Sequence, residues 1–131
     1  MASIIEKVKQ LALPLDELVV IGGGLLDALG YRQANDIDLA VSDSLYAALR
    51  EGNVYQVTQK HNQEMLEARD IEVWRDWGPD APFATLKQDA ITIDGVSFAN
   101  PAIIIEWKQR RDSPKDRQDV KNLQEYFATH E

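Results

Sequence analysis

The chain has 131 residues, of which 44% are hydrophobic and 27% charged, ordinary values for one globular domain. It holds 14 basic against 22 acidic residues, two histidines and no cysteine. Disordered and low-complexity classes, disulfide scaffolds, thiol catalysis and Cys- or His-rich metal sites are thereby set aside, a net charge of −8 makes long nucleic acid an unlikely default partner, and no apolar run approaches the ~20 residues of a membrane span.

In chain order, Ile4, Ile5, Val8 and Leu11 share one helical face, and Pro14 ends that segment. Leu18–Ile21 is a continuous apolar run of strand type that stops at Gly22-Gly23-Gly24. Leu25, Leu26 and Leu29 follow at helical spacing, closed by Gly30. Residues 36–41 begin in strict polar–apolar alternation, a half-buried strand. Ser42 and Ser44 are caps for a helix through Leu45 and Leu49. Strands are expected over Val54–Thr58, Met65–Ala68 and Ile71–Trp74, the last two as a pair. Asp80 and Pro82 open a short helix through Leu86. Asp94-Gly95 turns a hairpin between Ile91–Ile93 and Val96–Phe98.

The last third is helical: Asn100-Pro101 starts one helix to about Arg111, and Ser113 with Asp116 forms a capping box for another. No repeat or linker divides the chain, so residues 1–131 are read as a single domain. The expected class is α/β or α+β, a mixed sheet with helices packed on it and two helices at the C-terminus. The first residues lack a basic and apolar leader, and a cytoplasmic address is expected.

Asp36 and Asp38 carry the chemistry. Residues two apart on a strand face the same way, roughly 7 Å apart from the ~3.3 Å rise. Two like charges so held call for a cation, and a hard divalent ion such as Mg²⁺ takes oxygen ligands. Upstream, a buried strand runs through glycines into a helix, where backbone N–H groups can meet phosphate. Together these features describe a metal–nucleotide site.

Gly22-Gly23, twelve intervening residues and then Asp36-Ile37-Asp38-Leu39 resemble the signature of the nucleotidyltransferase superfamily. That superfamily includes polymerase β, aminoglycoside and lincosamide nucleotidyltransferases, minimal nucleotidyltransferases and abortive-infection toxins. A second stretch extends the likeness to the toxin-like and lincosamide-type members: Asp94-Gly95-Val96, Asn100-Pro101, Glu106-Trp107-Lys108, Arg110-Arg111 and Pro114 to Val120. The resemblance implies the polymerase β-like fold. It also implies transfer of a nucleoside monophosphate from an NTP, with ATP the first choice, to an acceptor hydroxyl, releasing pyrophosphate. Two Mg²⁺ ions would be clamped by three carboxylates.

Asp36 and Asp38 match the first two carboxylates. Glu72, in Ile71-Glu72-Val73-Trp74, stands at the third, where the family has Asp; Glu67 and Asp70 are alternatives. Gly22, Gly23 and Gly24 are the phosphate turn, although Gly24 stands where Ser or Thr is common. Arg32 either touches phosphate or pairs with Asp36. Lys108 either reaches the triphosphate or is a surface lysine. Asp116 and Asp119 are given structural roles, with Asp119 paired to Arg110 or Arg111. Trp74 and Trp77 are read as core or interface, Trp107 among Ile103, Ile104 and Ile105 as core, His61 as solvated and His130 as a fraying terminal residue. The acceptor is a small molecule or a protein hydroxyl, as when minimal nucleotidyltransferase antitoxins AMPylate a partner toxin, with RNA disfavoured and no membrane. A homodimer would complete the pocket. The alternative is a non-catalytic member that binds nucleotide or a partner protein.

Overall fold

The computed structural model describes residues 3–60, 62–75 and 82–130. His61, Trp77 and Asp80 lie outside the described residues, as does the side chain of His130. Helix α1 (Ile4–Gln10) is capped by the Ser3 hydroxyl, which accepts from the Glu6 N–H, and buries Ile4 and Val8. A 3₁₀ turn over Leu15–Glu17 leads into β1 (Leu18–Ile21), buried at every position. Then come α2 (Gly24–Ala28), β2 (Ile37–Val41), α3 (Asp43–Glu51), β3 (Gln56–Lys60), β4 (Gln63–Ala68) and β5 (Ile71–Trp74). After these follow α4 (Phe83–Gln88), β6 (Ile91–Ile93), β7 (Val96–Phe98), α5 (Pro101–Arg111) and α6 (Pro114–His130).

The strands form one seven-stranded mixed sheet in the order β3-β4-β5-β2-β1-β7-β6. β1 is antiparallel to β2 and parallel to β7, and β2 is parallel to β5. β4 pairs antiparallel with both β3 and β5. The chain is therefore mixed α/β with two C-terminal helices. The central strands are the apolar runs, as burial on both faces requires: Leu18, Val19, Leu39, Val73 and Phe98 are all fully buried. α2 packs on β1, α1 and α6, while α4 packs on β1. Tyr46 fixes α3 by donating its hydroxyl to Glu64 of β4 at 2.6 Å.

Local signals translate directly. Asn100 accepts from Ala102 N–H with Pro101 behind it, and Ser113 and Asp116 bond reciprocally as a capping box. Asp94 and Gly95 both take positive φ, 50° and 84°, as a two-residue hairpin turn demands. Three strands shift: β4 starts at Gln63, two residues ahead of the expected Met65. β2 starts at Ile37, leaving Asp36 in the bend before it, and β3 lies two residues later than its apolar residues indicate, with Val54 76% exposed. β3 is an edge strand with Thr58 alone half-buried, so hydrophobic pattern had little hold on its register. Among the described residues no helix is long and apolar enough to cross a membrane.

Candidate functional site

The site begins where β1 ends. Asp38 lies opposite Ile21 on β1 and opposite Glu72 on β5, and Glu72 in turn lies opposite Glu67 on β4. Residues in register across strands share a face, so three carboxylates run in a row across β2, β5 and β4. Asp36 stands just ahead of β2 and is exposed. Gly22 follows β1 at φ +71°, and a Cβ there would sit 2.7 Å from Asp38 Oδ2. The carboxylate thus lies directly against the turn, a position that excludes any side chain at residue 22.

Burial pushes the Asp38 carboxyl up to about 6, and repulsion from Glu72 and Asp36 adds to it. Lys60 and Arg111 pull the other way without cancelling the effect. Lys60 Nζ donates to Glu72 Oε2 at 2.9 Å. That hydrogen bond, with the charges of Glu72, Asp38 and Glu67, raises the Lys60 ammonium above its ordinary value.

A cavity of about 680 Å³ opens over Gly22, Gly23, Asp36 and Asp38 and is closed on its far side by α5 and α6. An ion network builds that far wall. Arg32 donates Nε and a terminal nitrogen to the two oxygens of Asp119, each at 2.8 Å. Lys108 donates to Asp119 at 3.0 Å and lies 3.7 Å from Asp116, which also accepts from Arg111 at 2.8 Å and from the Ser113 hydroxyl. Burial works to raise both Asp119 and Asp116, but these hydrogen bonds and charges outweigh it and hold both carboxyls below the ordinary value of 3.8. The guanidinium of Arg32 is raised by its bond to Asp119.

The sequence-derived candidates divide accordingly. Gly22, Gly23, Arg32, Asp36, Asp38 and Lys108 line the cavity. Arg32 pairs with Asp119 rather than with Asp36. Lys108 is not a surface lysine: it is 4% exposed and holds Asp119, so its charge is already spent within the wall. Asp119 bonds to Arg32 and Lys108 in place of Arg110 or Arg111, and Asp116 takes Arg111. Gly24 is buried away from the cavity, where a Cβ would stand 2.5 Å from Val20 Cγ1, so the core rather than a ligand requires glycine. Glu72 shares the Asp38 face but is bonded to Lys60. Among the described residues no three His, Cys, Asp or Glu side chains converge tightly enough to hold a metal ion in this arrangement.

Sequence reasoning missed Lys60, whose approach to Glu72 crosses β4 and has no local signature. Trp107 packs against the core as expected, and with Ile104 it also forms an apolar part of the cavity wall.

The donor set nevertheless fits Mg²⁺ in kind. The hard carboxylate oxygens of Asp38 lie against the glycine turn with Asp36 on the same cavity, and burial of Asp38 with repulsion from Glu72 and Asp36 leaves a demand for positive charge. No family model, no curated protein and no solved structure matches the chain.

Proposed function

We propose that the protein is a Mg²⁺-dependent nucleotidyltransferase of the polymerase β-like fold, moving a nucleoside monophosphate from an NTP, ATP first, to the hydroxyl of a small molecule or a protein. The observation that carries this reading is the placement of Asp38. It is desolvated, pressed against Gly22, in register with Glu72 and open to a cavity large enough for a nucleotide. The mixed sheet and the C-terminal helix pair agree with the resemblance in the motifs.

In this reading Gly22 and Gly23 bring the backbone close to phosphate, and Asp36, Asp38 and, once released by Lys60, Glu72 would hold the metal. Glu72, freed from Lys60, accepts the acceptor hydroxyl's proton. Bound Mg²⁺ supplies the positive charge that offsets the nucleotide phosphates and polarises them for displacement. Trp107 and Ile104 offer an apolar wall to a base or an acceptor ring. Lys115 on the α5–α6 wall is placed to meet an anionic ligand, and a second copy of the chain would complete the pocket. A cytoplasmic address, where NTPs are plentiful, suits this chemistry.

A thermal-shift panel tests the reading: ATP, GTP, CTP and UTP, each with and without Mg²⁺, on the wild type and on Asp36→Asn/Asp38→Asn. Ligand at a hundred times its dissociation constant adds about 2.7 kcal/mol, several degrees in melting point. A Mg²⁺-dependent shift lost in the double variant is the expected result. No shift with any nucleotide overturns it.

One observation favours a second reading, a non-catalytic nucleotide- or partner-binding domain: the third carboxylate is Glu72, and it is held by Lys60. Pyrophosphate release in the presence of a hydroxyl acceptor separates the two, since a binding module gives the thermal shift without turnover.

A further inference from the structure

We propose that Lys60 is a built-in counter-cation of this site: it neutralises the carboxylate row in the metal-free protein and must swing away before a divalent cation binds. The inference rests on the metal-site reading above and adds its regulation. Lys60 Nζ lies 2.9 Å from Glu72 Oε2, and the other charges it faces are Asp38 and Glu67. One ammonium is therefore bonded to the middle carboxylate of the row across β2, β5 and β4 and is within the electrostatic reach of the two that flank it. The Glu72 oxygen cannot serve Lys60 and a metal ion at once, so the two occupants exclude each other.

The geometry also makes the ammonium removable. The Lys60 side chain is 45% exposed while that of Glu72 is 19% exposed, so Lys60 reaches in from solvent and can return to it. It stands at the end of the edge strand β3, whose residues are exposed apart from Thr58. Few buried contacts resist a local displacement of such a strand. Exposed lysine–carboxylate pairs are individually weak, and a divalent ion attracts each carboxylate about twice as strongly as an ammonium at equal distance. Lys60 is accordingly strong enough to stabilise the empty site and weak enough to yield. Apparent metal affinity falls by the fraction of molecules in which the site is free. Lys60 thus sets a threshold concentration of metal.

The test is Mn²⁺ binding, read by the loss of the free-ion electron paramagnetic resonance signal, on the wild type, Lys60→Gln and Asp38→Asn. The expected result is roughly three- to tenfold tighter binding by Lys60→Gln and loss of binding in Asp38→Asn. Equal or weaker binding by Lys60→Gln, with Asp38→Asn still defective, overturns the counter-cation role and leaves the metal site standing. No binding by either the wild type or Lys60→Gln, or binding that Asp38→Asn does not disturb, overturns the metal reading and this inference together. Should Lys60→Gln fold poorly, reductive methylation of the wild type gives an independent readout. Mg²⁺ must then accelerate modification of Lys60 relative to exposed Lys121, and an unchanged rate alongside Asp38-dependent Mn²⁺ binding overturns the proposal.

Discussion

Asp38 carries a stability cost that its position in the site requires. Its folded carboxyl is pushed up to about 6 from 3.8, first by burial and then by Glu72 and Asp36. The folded protein therefore holds more protons than the unfolded chain between those values, and stability falls as pH rises through that window. Two units correspond to about 3 kcal/mol, so Asp38→Asn, keeping the shape and losing the charge, should gain about 2 kcal/mol at pH 7.5 without metal. Urea unfolding checks this, and the two proteins should converge below pH 4. Asp119 has the opposite sign: its folded carboxyl lies below 3.8, so its contribution is present above that value and is lost as pH falls through the folded one. Asp119→Ala leaves Lys108, 4% exposed, without its closest partner, and should cost about 3 kcal/mol at neutral pH by the same measurement. At this scale Asp38 and Glu72 were legible because each alternates with apolar strand neighbours, whereas Asp36, expected on the same strand face, falls in the bend before β2. The basic side was not legible, because Arg32 meets a residue 87 positions away, and a lysine's burial leaves no mark on its neighbours.

The strand-to-helix turn is the element on which the site depends, and its three glycines have three different reasons. Gly22 needs its positive φ and lies against Asp38, Gly23 lies against Arg32, and Gly24 lies against Val20 in the core. Gly24→Ala should therefore destabilise the fold by about 1–3 kcal/mol through overpacking, seen as a lower melting point with nucleotide response retained. Gly22→Ala should displace the Asp38 carboxylate and abolish the Mg²⁺-dependent nucleotide shift even where the melting point allows the assay. Most elements were legible because their signals are local: the apolar run of β1, the Asp94-Gly95 turn, and the caps at Asn100 and Ser113. Replacing Asn100 by Ala should cost about 1 kcal/mol, the usual worth of such a cap. β3 was displaced in the reading because an edge strand exposed on both faces has no apolar pattern to set its register.

Across the whole molecule, the sheet order puts β5 beside β2 and β7 beside β1, so residues far apart in the chain meet at one end of the central strands. No run of sequence announces that order, since pairing between distant strands depends on the assembled core. The carboxylate row belongs to the sheet, whereas the basic wall belongs to α5 and α6, and Arg32 joined to Asp119 is a clasp between them. That clasp closes a loop of 87 residues, and loops so long close late, after the local hairpins have formed. Asp119→Asn should consequently speed unfolding while leaving the refolding rate nearly unchanged in a chevron experiment. Ile104 and Leu123 also tie the helix pair into the core, so the clasp and that apolar contact are expected to open together. Hydrogen exchange of the α5 and α6 amides checks this: Asp119→Asn should speed exchange throughout both helices and leave the central strands protected.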